Sequence, residues 1–209
     1  MSTEAWAKRS PERRQKILEA VISVIAELGL EAATTRRVAN RAGVALGSVH
    51  YVFASKAEMI AGAIDFVAEA IDAALRPVVI DALSGDADVA EAITVIVQSF
   101  WDFVEADPGF QLMQYELTLY CLRRPDHRWL AARQYDRYRD VVAHTLRVAE
   151  EHTGELLTKR QIDELSRQAV AGLDGIILQF LVHGSSEQAA HDVAVLASNL
   201  VAVYGPAEL

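Results

Sequence analysis

Cysteine is almost missing from this chain. Cys121 is the only one in 209 residues, so no disulfide can close within it and no paired-thiol motif exists. A single cysteine among apolar neighbours reads as a small buried hydrophobe rather than a redox switch. Long apolar runs are missing too. No stretch of eighteen uninterrupted apolar residues occurs, which argues against a membrane span. The start, MSTEAWAKRSPERR, has no apolar core of the kind a signal peptide needs. A cytoplasmic protein is expected. Signatures of catalysis are also absent: there is no GxSxG, no phosphate-binding glycine loop and no HExxH. The six histidines (50, 127, 144, 152, 183 and 191) never fall three or four apart. No metal site, cofactor or catalytic residue is therefore expected, and the chain does not read as an enzyme. Sustained two-residue alternation is absent as well, which leaves an all-α fold. With 52% apolar residues, a sizeable core can be buried.

Acid is missing from one place in particular. The chain carries a net charge of −9, yet residues 32–57 contain no Asp or Glu while holding Arg36, Arg37, Arg41 and Lys56. Residues 1–60 hold nine Lys/Arg against six acids, net +3, and residues 61–209 are net −12. A surface free of carboxylates can face phosphate even when the rest of the molecule repels it.

What is present is helical periodicity. Ser10-Pro11 reads as a cap and first helical residue, followed by Ile17, Leu18, Val21, Val24, Ile25 and Leu28 at three- and four-residue spacing, with Gly29 as the stop. Thr34-Thr35 caps a short helix ending before Gly43, and a second short helix covers about 46–52. Ser55 caps a long helix that Pro77 should end near residue 76. A loop is expected at SGDAD (84–88), then helices at about 88–106, 109–123, 126–152, 159–183 and 187–204.

Residues 34–53, TTRRVANRAGVALGSVHYVF, carry the chemistry. Two short helices joined by a turn with glycine make a helix-turn-helix. Gly43 can take the left-handed turn conformation, and Val38, Ala39, Val44, Val49 and Phe53 are spaced to form its small core. Leu46, Gly47, Ser48, His50 and Tyr51 are then left facing outward on a two-turn helix that fits a major groove.

Residues 13–64 resemble the N-terminal domain of the TetR family of regulators. The matching phrases, in order, are ILEAVISVIAELG, TTRRVANRAGV, GSVHYVF and SKAEMIAGAI; GLDGIILQFLV at 172–182 is similar to the penultimate helix of many members. The resemblance implies a two-part architecture: a DNA-binding domain at 10–56 and a ligand-binding and dimerisation domain at 57–209. It also implies roles. Thr35 would bond a phosphate, Arg36 a base edge with guanine preferred, and Arg37 a phosphate. Leu46, Gly47 and Ser48 would lie against the bases, Tyr51 on the backbone, and Lys56 would clamp a phosphate at the start of the long helix. His50 and Val52 depart from the family pattern, in which tyrosine and histidine are common at those places. His50 is expected to touch DNA and Val52 to pack.

Helices 159–183 and 187–204 are apolar around more than one stripe, so each must be covered on two sides. A homodimer with a four-helix interface would do this and would place two recognition helices on a palindromic operator. The middle of the chain is rich in aromatics with a few polar groups among them, the usual make-up of a small-molecule site. The expected lining is Trp101, Tyr115, Leu119, Tyr120, Tyr138, Asp174 and Phe180, for a partly apolar effector. The run Arg123, Arg124, Arg128, Arg133, Arg137 and Arg139, interleaved with Asp126, Asp136 and Asp140, reads as a solvated, ion-paired face. The expectation is a homodimeric repressor of double-stranded DNA released by a small molecule. An activator would need the same parts. A helical small-molecule binder or enzyme without DNA binding is the more distant alternative.

Overall fold

The computed structural model describes residues 3–83 and 88–204, with side chains described from residue 11 to residue 203. The expected loop at 84–88 lies outside the described residues except for Asp88, which caps the helix after it. Among the described residues the chain is helical without strands: α1 (Thr3–Leu28), α2 (Thr35–Ala42), α3 (Leu46–Val52), α4 (Lys56–Ala82), α5 (Val89–Ala106), α6 (Pro108–Leu122), α7 (Arg128–Thr153), α8 (Lys159–His183) and α9 (Ser186–Tyr204). Short 3-10 turns sit at Leu30–Ala32 and Pro125–His127.

Two expected boundaries are wrong, and both involve proline. α1 does not start at Ser10; it begins at Thr3 and runs through Pro11. The fixed φ of proline suits a helix, and only one ladder bond is given up there. Pro77 does not end α4, which continues to Ala82. An interior proline costs a helix about 3 kcal/mol. Ile71, Leu75, Val79 and Leu83 fall at four-residue spacing on one face and all are buried. Each buried Val or Leu returns about 1.5–3 kcal/mol, so carrying Val79 and Leu83 past the proline offsets its cost.

The chain packs as two compact units. The first comprises residues 1–67 with 109–134, and the second residues 68–108 with 135–209. This cuts the chain differently from the expected division at 56/57. The first half of α4, with α6 and the start of α7, packs with the N-terminal helices. In this unit one core joins Ile17, Leu18, Val21 and Val24 of α1 to Val38 and Ala39 of α2, Val49 of α3, Met59 and Ile60 of α4, and Met113 and Leu117 of α6. Cys121 lies in that core and burial pushes its thiol up, as a structural cysteine requires. In the second unit α5 packs on α8 and α9 and α8 lies along α9. Trp101 sits at its centre, only 1% exposed.

Candidate nucleic-acid interface

The turn between α2 and α3 is built from local chemistry. The Thr34 hydroxyl accepts the Arg37 N–H at 3.2 Å and starts α2. Gly43 ends it at φ 64°, ψ 34°, a left-handed conformation that a Cβ would penalise. The Val44 N–H returns to the Ala39 carbonyl at 3.0 Å and closes the turn. Val38, Ala39, Val49 and Phe53 are buried beneath the two helices, with Val44 and Val52 partly buried against the same core. Val52 therefore packs.

The residues expected to face DNA lie on the other side. Arg36, Arg37, Leu46, Gly47, His50 and Tyr51 are exposed, while Thr35 and Ser48 are half-buried. Tyr51 keeps 67% of its surface open. The surrounding acids are tied down. Arg41 grips the Glu27 carboxylate through two bonds of 2.6 Å and also bonds Ser23, and that guanidinium holds the Glu27 carboxyl below its ordinary value of 4.5. Glu31 pairs with Arg124 at 2.6 Å. Glu58 accepts the Ala54 N–H at 2.8 Å while the Ser55 hydroxyl accepts the Glu58 N–H at 3.1 Å, which fixes the start of α4.

Lys56 has a role the sequence did not reveal. Its ammonium donates to the carbonyls of Leu30 at 3.0 Å and Glu31 at 3.2 Å, and Arg37 donates to the Ala32 carbonyl at 3.4 Å. The 3-10 turn that leads into α2 is thus held from both sides. Burial pushes the Lys56 ammonium below the ordinary lysine range, Glu31 opposes the shift, and Arg124 adds to it. Two of its three donors are occupied within the protein.

The expected effector residues are divided between the units. Trp101, Tyr138, Asp174 and Phe180 belong to the second, and Tyr115, Leu119 and Tyr120 to the first. Trp101 meets Phe180 edge-on with ring centres 5.0 Å apart. Tyr138 meets Tyr135 at 5.8 Å. Asp174 bonds Tyr135; burial, then the Asp174 charge and hydrogen bond, push the Tyr135 phenol up. Leu119 and Tyr120 instead line a surface groove of about 560 Å³ with Leu28, Leu30 and Arg124, where Arg124 stands 3.7 Å over the Tyr120 ring. A buried polar group passed unnoticed in the sequence: the Thr118 hydroxyl donates to Gln134 at 2.9 Å, and the Gln134 amide donates to Gln114 at 2.9 Å. Among the described residues no three His, Cys, Asp or Glu side chains come together to hold a metal.

The arginine run pairs as expected within α7, Arg139 with Asp136 and Arg137 with Asp140. It also reaches α4, where Arg133 takes Asp65 through bonds of 3.0 and 2.6 Å. One finding departs from expectation. α8 is long and apolar enough by composition to cross a membrane, and its most apolar window is 28% buried within the chain. One face, with Leu165, Ala169, Leu173 and Ile177, is core; another leaves Leu178 at 54% and Val182 at 70% exposed.

A two-helix tip with a carboxylate-free outer face, on a helical body, defines a helix-turn-helix transcription regulator. The profile described as bacterial regulatory proteins, tetR family, matches residues 17–63, and that described as tetracyclin repressor-like, C-terminal domain, matches residues 84–203. The second covers more than half of the chain, and the chain belongs to the TetR family of transcription regulators. It is 28% identical over 176 residues to the nicotine-responsive transcriptional repressor HdnoR of Paenarthrobacter nicotinovorans, covering 83% of this chain and 86% of that protein. Among solved structures it resembles the multidrug binding protein EbrR complexed with malachite green, at 28% identity and TM-score 0.60, over 91% of this chain and 98% of that one. A TetR-family member from Streptomyces coelicolor A3 is similar at 28% identity and TM-score 0.63, again over 91% and 98%.

Proposed function

We propose that this protein is a cytoplasmic homodimeric repressor that binds a palindromic operator and releases it when a partly apolar, aromatic small molecule occupies the body. The observation that carries the reading is the α2–α3 tip: Arg36, Gly47, His50 and Tyr51 are exposed on it, while every acid flanking it is bonded away. Arg36 makes no hydrogen bond or ion pair among the described residues and remains available for a base edge. Thr35 and Arg37 take phosphates, and Leu46, Gly47, Ser48 and His50 lie against bases. Lys56 keeps one donor for phosphate and uses the others to hold the tip.

The exposed apolar faces of α8 and α9 support the dimer. Leu178 and Val182 on α8 and Val195 and Val203 on α9 would otherwise stand in water. Gly175, with no atom within 4 Å of its Cβ position, leaves room there for a partner backbone. For the effector, Trp101, Tyr138, Asp174 and Phe180, with Tyr135, offer ring faces and one carboxylate. HdnoR answers to nicotine and EbrR is seen with malachite green and proflavin, all aromatic and nitrogen-bearing. A ligand of that class would suit these residues. α4 runs from one unit into the other and follows the tip directly, which makes it the proposed lever between effector and DNA. Release requires that the ligand favour one arrangement over the other.

The experiment is a mobility shift with duplex fragments from upstream of the protein's own gene, with and without malachite green as probe. Sequence-specific retardation that falls with added dye supports the reading. Binding equal on all fragments removes the operator, and dye-independent binding removes this effector class.

A further inference from the structure

Gly62 lies inside α4, where a helix gains nothing from glycine and an alanine would ordinarily stabilise. It is buried against the base of the helix-turn-helix. A Cβ built at Gly62 would stand 2.9 Å from Cε1 and 3.4 Å from Cζ of Phe53, and 3.2 Å from the Leu18 side chain. Phe53 is the residue that ends α3, its N–H bonded to the Val49 carbonyl at 2.9 Å. Its ring is only 3% exposed and Arg14 stands over it, 5.7 Å from its centre. The ring is therefore enclosed, and a shift of it must be taken up by its neighbours.

We infer that Gly62 is a positioning residue for DNA recognition: by giving Phe53 a seat directly on the α4 backbone, it sets the tilt at which α3 meets the groove. The inference rests on the reading of α3 as the recognition helix. A methyl group at Gly62 moves the Phe53 ring by at least about half an ångström to reach an ordinary contact. Because Phe53 is joined to α3 directly, the helix end moves with it. The phosphate contacts proposed for Thr35 and Arg37 sit on α2, so the attraction that draws the protein to any duplex stays in place.

The test is Gly62→Ala in the full chain. The operator is a duplex that the unaltered protein selects from a randomised pool; the non-specific probe is a random-sequence duplex of equal length. Operator affinity should fall about tenfold or more, the scale of one good base contact, while affinity for the random duplex stays within twofold. Gly62→Ala with Phe53→Leu should regain most of the operator affinity, because the shorter side chain vacates the seat. A merely structural role would lower both affinities together, and that parallel fall would overturn the inference, as would unchanged operator binding. If Gly62→Ala alone does not fold, the double variant decides: recovery of fold and operator binding supports the seat, and failure to fold means that Phe53 is not what the methyl strikes. If the unaltered protein selects no preferred sequence, the recognition reading fails instead.

Discussion

Placing a charge at Leu178 should split the proposed dimer and leave each chain folded. Leu178 is 54% exposed and Val182 70% exposed in the single chain, so neither supports the protomer core. Burying a whole Leu or Val is worth about 1.5–3 kcal/mol. The exposed half of Leu178 is then worth about 1 kcal/mol, and two-fold symmetry doubles it to about 2 kcal/mol. Leu178→Arg also inserts two guanidinium groups into an apolar face, each stripped of water without a partner, at a further cost of at least about 1–3 kcal/mol. The sum is at least about 4 kcal/mol, or roughly a thousandfold in the dissociation constant. Sedimentation equilibrium measures it, with circular dichroism as the control for fold. Leu173 and Leu200 sit on the same helices but are each 4% exposed in the protomer, so charges there would unfold it instead. A Leu178→Arg protein that sediments as the same dimer as its parent would show that this face is not the interface.

Arg36→Ala should cost about 1–3 kcal/mol of operator binding and relax the preference at one base pair, read by competition with single-base variants; equal loss on every sequence would make it a phosphate contact. Lys56→Ala should lower stability by about 1–3 kcal/mol in urea, since the carbonyls of Leu30 and Glu31 lose a charged donor; unchanged stability would dismiss the tie. Glu27 titrates below its ordinary value of 4.5 because of Arg41. Its contribution is present above that value and is lost as pH falls through the depressed one. Glu27→Gln should therefore be less stable than the parent at pH 7 and approach it near pH 3; a gap that widens in acid would contradict the pairing.

The tip was legible because its signals are local. Thr34 caps, Gly43 turns, and Val38, Ala39 and Val49 recur at spacings that only the α2–α3 hairpin satisfies. Pro77 misled because a local rule met a longer-range one: Val79 and Leu83 find a core that residues near Pro77 in sequence do not announce. The backbone tie that Lys56 makes was hidden for a similar reason. Its partners are about 25 residues away and are backbone carbonyls, which carry no residue signature. The expected effector residues fall in both units, since aromatic content says nothing about which helices share a unit. Residues 109–134 pack with the N-terminal helices, taking Tyr115, Leu119 and Tyr120 with them. Gly62 shows its purpose only once Phe53 is seen against it.

Selection of bound duplexes from a random pool, followed by hydroxyl-radical footprinting in rising salt, examines the α2–α3 tip directly. The account predicts an inverted repeat with protected patches about 34–36 Å apart along one face. Affinity should fall steeply as salt rises, because phosphates are being neutralised. Enrichment of no sequence at all, or a bound duplex indifferent to salt, would contradict it.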